Sequence, residues 1–166
     1  MIEILILYIL YKEKNTLYGI RKVIKEKFLY LTSATFGSIH PAVSRLIEKG
    51  FIQEKKTLSD GGRKKHIYSI TKDGKEHLLL ALKADFSLNS NNIEKQIGIK
   101  LACSDILDEP SVKNLYTKIV RYYEQRIVLY LKMLKKTDFN ELQASQIKNL
   151  ISNYQNDIDF LKIKLN

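Results

Sequence analysis

The sequence predicts a mainly α-helical fold with one small β-hairpin, and three observations carry that prediction. Apolar residues recur at helical spacing in Ile39, Ala42, Val43, Leu46 and Ile47 and stop at Gly50. Two strand-like runs, 51–58 and 66–70, then flank Ser59-Asp60-Gly61-Gly62, a strong turn signal. Beyond residue 112 the apolar positions advance by steps of three and four, the pattern of helical seams. With 166 residues and 45% apolar content, the chain is long enough for one domain or for a small module plus an appendage.

The apolar opening from Ile4 to Tyr11 is too short to span a bilayer. It also carries Glu3 where a signal peptide needs positive charge, so it reads as a buried first helix over 2–11. After the polar turn Lys12-Glu13-Lys14-Asn15, a second helix runs from Thr16, placed as an N-cap, to Phe28, with Leu17, Ile20, Ile24 and Phe28 inside. Gly19 within it costs about 1 kcal/mol relative to alanine, a cost that close approach of another helix usually offsets.

The third helix, capped near Ser33 or Thr35, turns Ile39, Ala42, Val43, Leu46 and Ile47 inward. At about 100° per residue its other face presents Gly37, Ser38, Pro41, Ser44, Arg45 and Glu48, with His40 at the margin. Pro41 would press on the carbonyl four residues back, which belongs to Gly37, the least obstructive choice. Arg45 can fork onto guanine or grip a phosphate, and Ser38 and Ser44 can donate to either. The hairpin tip adds Arg63, Lys64 and Lys65, facing Lys55 and Lys56, five cations that repel one another unless an anion or solvent screens them. After it, Thr71 caps a helix whose Leu78, Leu79 and Leu82 face a core.

Charge points the same way. Lys and Arg number 28 against 18 Asp and Glu, a formal +10, and residues 1–85 hold +7 of it. Such an excess favours a polyanionic partner, most simply nucleic acid, and the layout of a helix beside a basic hairpin loop makes double-stranded DNA the expected partner. The single cysteine, Cys103, excludes an intramolecular disulfide framework and suits a reducing cytoplasm. No metal site and no cofactor are expected, because His40, His66 and His77 are scattered. Nor is an enzyme, since no carboxylate pair, phosphate-cradling loop or nucleophile with a base can be assigned. No membrane partner is expected either.

A polar linker at 89–92 precedes a helix over 93–107, and Asp108-Glu109-Pro110-Ser111 breaks the chain before the next. Along that long helix Tyr116, Ile119, Tyr123, Ile127, Tyr130 and Leu134 form one seam. After Asp138, Ile147, Ile151, Tyr154, Ile158, Leu161 and Leu165 form another. Two seams invite a homodimer, with Tyr123, Ile127, Tyr130, Leu134, Ile147, Ile151, Tyr154, Ile158 and Leu161 as its candidate interface; pairing within one chain as a helical hairpin is the alternative. The tyrosines at 116, 122, 123 and 130 suit core or interface packing first and a phenol-lined effector pocket second, and no effector can be named.

Tyr18-Gly19, then Gly37-Ser38-Ile39-His40-Pro41-Ala42-Val43-Ser44-Arg45-Leu46 with Glu48-Lys49-Gly50-Phe51-Ile52, then Gly62-Arg63-Lys64-Lys65-His66-Ile67-Tyr68-Ser69-Ile70-Thr71 with Gly74, together resemble the PadR family of transcriptional regulators over residues 2–84. His40 stands where that family usually has tyrosine, and the wing lacks the proline often found after its Gly-Arg. The resemblance implies an N-terminal winged helix-turn-helix (1–85) and a C-terminal α-helical dimerisation domain (86–166). It also implies operator contacts at Tyr18, at Ser38, Pro41, Ser44 and Arg45, and at Arg63 to Lys65, with His40 beside them. The expected function is a repressor, a homodimer on a palindromic operator, relieved by an unnamed small effector. A winged-helix adaptor for an acidic protein partner is the alternative.

Overall fold

The computed structural model describes residues 1–32, 35–58, 64–86 and 92–165. The elements run α1 (Ile2–Lys12), α2 (Leu17–Lys27), α3 (Phe36–Glu48), β1 (Ile52–Leu58), β2 (Lys64–Ile70), α4 (Lys72–Lys83), α5 (Ile93–Ala102), a 3₁₀ turn (Ser104–Ile106), α6 (Glu109–Lys136) and α7 (Glu141–Leu165). They group into two compact units, 1–106 and 107–166.

In the first unit α1 is the buried helix the sequence predicts, with Leu5, Ile6, Leu7, Ile9 and Leu10 inside. Truncating any of these leucines to alanine costs about 2–5 kcal/mol. Thr16 caps α2 through its hydroxyl, which accepts from the Gly19 N–H. A Cβ at Gly19 would meet Oδ1 of Asn15 at 1.8 Å, so the group that approaches this glycine is a side chain of the preceding turn and not another helix. Asn15 in turn exchanges backbone hydrogen bonds with Tyr68, which ties this turn to β2.

Helix α3 buries Ile39, Ala42, Val43 and Leu46, but Ile47 is 39% exposed. Ile47 lies some 80° of helical rotation from Ile39, at the edge of the stripe rather than its centre. The helix ends as predicted: Gly50 has φ +70, and the amides of Gly50 and Phe51 donate to Ile47 and Leu46. Strands β1 and β2 pair antiparallel from Ile52↔Ile70 to Leu58↔Lys64. Residues 59–63, which include Arg63 and the predicted turn, lie outside the described residues.

Thr71 caps α4 by accepting from Gly74 N–H while its own hydroxyl donates toward the carbonyls of Gly50 and Phe51. A Cβ at Gly74 would meet the Phe51 carbonyl oxygen at 2.0 Å, which is why this joint between hairpin and helix uses glycine. Helix α5 stops at Ala102, short of the predicted 107, where the Ser104 hydroxyl takes the Leu101 carbonyl. Lys100 is buried, and its ammonium donates to the carbonyls of Ala81, Leu82 and Ala84, capping the end of α4.

The second unit is a hairpin of two long antiparallel helices. Asp108 caps α6 by accepting from Ser111 N–H, and Pro110 sits in the first turn. Asn140 and Gln143 bond each other's backbone at the start of α7. Leu115, Ile119, Val120 and Tyr123 of α6 and Tyr154, Ile158 and Leu161 of α7 are buried. Tyr154 stacks on Tyr123 and on Tyr130, with centroids 4.8 and 6.1 Å apart. Lys162 pairs with Glu124 at 3.0 Å. Among the described residues no helix is long and apolar enough to cross a membrane.

Candidate nucleic-acid interface

The start of α2, His40 of α3 and the hairpin meet around an open cleft of about 560 Å³ lined by Thr16, Leu17, Tyr18, His40, Glu54, Lys65, His66 and Tyr68. The cleft exists because the Asn15–Tyr68 bridge pins the α2 cap to β2. Pro41 lies inside α3 and has no amide hydrogen to donate to the Gly37 carbonyl four residues back. Tyr18 is 67% exposed at the rim. His40 and Pro41 are exposed beside it.

Strand alternation sorts the wing's charges. Glu54, Lys56, Lys64, His66 and Tyr68 share one face, and Lys55 and Lys65 share the other. Each described lysine of the hairpin opposes a non-lysine: Lys55 faces Ile67, Lys56 faces His66, Lys64 faces Leu58 and Lys65 faces Thr57. The mutual repulsion expected from a block of cations is thereby diluted over two faces. On the first face, Glu54 Oε1 accepts from the Tyr68 hydroxyl at 2.9 Å and lies 2.6 Å from His66 Nδ1. The His66 and Tyr68 hydrogen bonds hold the Glu54 carboxyl below the usual glutamate range. Burial and the neighbouring carboxylate push the Tyr68 phenol up to about 12.

The model of the PadR-like family of transcriptional regulators matches residues 6–79, from α1 through most of α4. A PadR family transcription regulator from Clostridium difficile is 30% identical, over 46% of this chain and 78% of that one, with a TM-score of 0.41. This chain belongs to the PadR-like family. A Bacillus subtilis PadR solved with operator DNA is 18% identical over 98% of this chain and 95% of that one, with a TM-score of 0.50, and shares the fold. A Streptococcus mutans protein is 24% identical over 98% and 97%, with a TM-score of 0.47. Among curated proteins none matches. The PadR-like family consists of transcriptional regulators and not of enzymes.

Within this PadR-like chain the predicted α3 residues divide. The Ser38 hydroxyl is taken up by the helix start, accepting from Thr35 N–H at 3.1 Å and donating to the Thr35 carbonyl at 3.0 Å. Ser44 is half-buried and donates back to the His40 carbonyl. Arg45 Nε pairs with Glu3 Oε1 of α1 at 2.7 Å, and Lys49 Nζ lies 3.6 Å from the other oxygen. Partial burial works the other way, but the Arg45 hydrogen bond and the Lys49 charge hold the Glu3 carboxyl below its usual range. Arg45 therefore sits on the α1 flank of α3, away from the cleft that holds His40.

Two residues escape the sequence reading. Glu54 stands as an acid between lysines in a basic strand, yet its partners depend on strand register. Lys100 reads as one more surface cation, and only its spacing with Ile93, Ile97 and Cys103 hints that it turns inward. Among the described residues no group of three His, Cys, Asp or Glu side chains could hold a metal ion.

Proposed function

We propose that this regulator is a cytoplasmic repressor that acts as a homodimer on a palindromic double-stranded operator and excludes polymerase from an overlapping promoter. The observation that carries this reading is that His40 of α3 and Lys65 and His66 of a lysine-bearing hairpin line one cleft. A helix of that kind fits the major groove, and the strand lysines fit the phosphates beside it. The operator complex formed by the Bacillus subtilis PadR supports the same mode of binding here.

In this reading Tyr18, Ser38, His40, Pro41 and Ser44 approach the groove and its edge, while Arg63, Lys64 and Lys65 bind backbone phosphates. Arg45, steered by Glu3, reaches a flanking phosphate in place of a base. Residues 1–85 supply DNA binding and 86–166 supply dimerisation.

A dimer is supported by apolar side chains that the hairpin leaves outside: Val128 (50% exposed), Leu131 (46%), Phe160 (59%) and Ile163 (72%). Of the predicted seam, Tyr123, Tyr154, Ile158 and Leu161 are already buried within one chain, whereas Ile127, Tyr130, Leu134, Ile147 and Ile151 keep partly exposed surface to share. The stacked rings of Tyr123, Tyr130 and Tyr154 fill the space between them, so an effector that relieves repression is expected to bind elsewhere.

A salt-titrated gel shift against the gene's own upstream region, with unrelated DNA of equal length as competitor, tests the reading. Selective binding with a two-fold protected site supports it. Equal, weak binding to both DNAs that vanishes together as salt rises sinks it in favour of an adaptor.

A further inference from the structure

Glu54 is out of place on a surface that must approach phosphates. A carboxylate beside a backbone phosphate is repulsive unless a cation stands between them. The group next to it is His66, directly bonded through Nδ1 at 2.6 Å, with a side chain 44% exposed toward the cleft. With Nδ1 committed to Glu54, Nε2 is the nitrogen left for a partner. In the neutral ring that donates from Nδ1, Nε2 is an acceptor and opposes a phosphate oxygen; in the imidazolium it donates to one.

We propose that Glu54 is a positioning residue that holds His66 as a proton-linked phosphate contact, so that DNA binding takes up a proton at the base of the wing. This rests on the operator reading, and specifies one contact within it. The other groups that face His66 fit the same assignment. On its own sheet face, Lys56 lies opposite and Lys64 two residues away, both cations that raise phosphate density at the site, while Tyr68 shares the Glu54 oxygen. From α2 and α3, Tyr18 and His40 line the cleft, and Lys65 lines it from the hairpin. His40 is the other imidazole that lines it, and His77, on α4 outside the cleft, is the control.

The test is fluorescence anisotropy at constant ionic strength from pH 8 to pH 5.5, on the upstream fragment and on unrelated duplex of equal length. One linked proton permits at most a tenfold change per pH unit, and about fivefold tighter binding between pH 7.5 and pH 6 is expected on both duplexes, since phosphates carry no sequence. His66→Gln flattens the profile on both, His77→Gln, outside the cleft, leaves it, and His66→Lys binds at pH 8 as tightly as the parent at pH 6. Glu54→Gln keeps an acceptor but removes the charge, which moves the rise to lower pH. A flat parent profile, or an unchanged slope in His66→Gln, overturns the assignment. So does equal weakening at every pH in both variants, the mark of a structural role alone. Absence of any preference for the upstream fragment removes the operator reading instead, and the slope on unrelated duplex still decides the His66 contact.

Discussion

Lys100 shows how much one buried polar group can bind together. Its three ammonium protons match the three carbonyls at the end of α4, and its stem passes beside Phe86. Replacing it with methionine fills similar volume but strands those carbonyls, at a cost of about 2 kcal/mol, or a melting temperature lower by roughly 4–8 °C for a chain of this size. A melt followed by circular dichroism that stays within about 1 °C of the parent would refute the capping role. A second residue-scale cluster joins α1 to the 3₁₀ turn: Asp105 accepts from the Tyr8 hydroxyl at 2.9 Å and pairs with Lys12 at 2.6 Å. Partial burial opposes it, but Lys12 and Tyr8 hold the Asp105 carboxyl below the usual aspartate range. A depressed carboxylate stabilises the fold above its unfolded pKa and loses that contribution as pH falls through its folded value. Asp105→Asn is therefore expected to be less stable than the parent at pH 7, by less than about 1 kcal/mol for so exposed a pair. The difference should close below the ordinary aspartate range, as urea melts at the two pH values would report.

The elements themselves were mostly legible in the amino-acid order, because caps and breakers announce them: Thr16, Gly50, Thr71 and Asp108 all do what their residue types dictate. The candidate site was legible only by element. Which α3 side chains are free depends on partners remote in sequence: Glu3 claims Arg45 across 42 residues. Register hid the Glu54–His66 pair, since a connection longer or shorter by one residue would have moved His66 to the opposite relation with Glu54. The joint between β1 and α4 is the element-scale prediction. Gly74→Ala drives a methyl into the Phe51 carbonyl, and with backbone on one side and helix on the other the strain has little outlet. A loss of about 2–3 kcal/mol in chemical denaturation is expected, against about 1 kcal/mol for Gly50→Ala, where only the positive φ resists. Equal, small losses would mean that the joint yields.

For the molecule as a whole, the proposed function assigns recognition to the N-terminal part of the chain and assembly to its C-terminal helices. The C-terminal hairpin closes its tyrosine core within one chain and leaves Phe160 and Ile163 outside it. Changing both to glutamate should shift sedimentation from dimer to monomer while helicity by circular dichroism holds; an unchanged sedimentation coefficient would move the interface to other residues. Loss of the dimer should also cost at least about 100-fold in operator affinity, since one half-site alone carries too few contacts.

Salt-dependent affinity in two sets of variants separates the different chemistry by which wing cations and the outer face of α3 are proposed to bind one operator. Lys64→Ala with Lys65→Ala should weaken binding to operator and unrelated DNA alike and lower the salt slope by about one to two per protomer. Ser44→Ala or His40→Ala should leave the slope and shrink the preference for operator. If the lysine pair left both affinity and slope unchanged, the wing would not touch DNA.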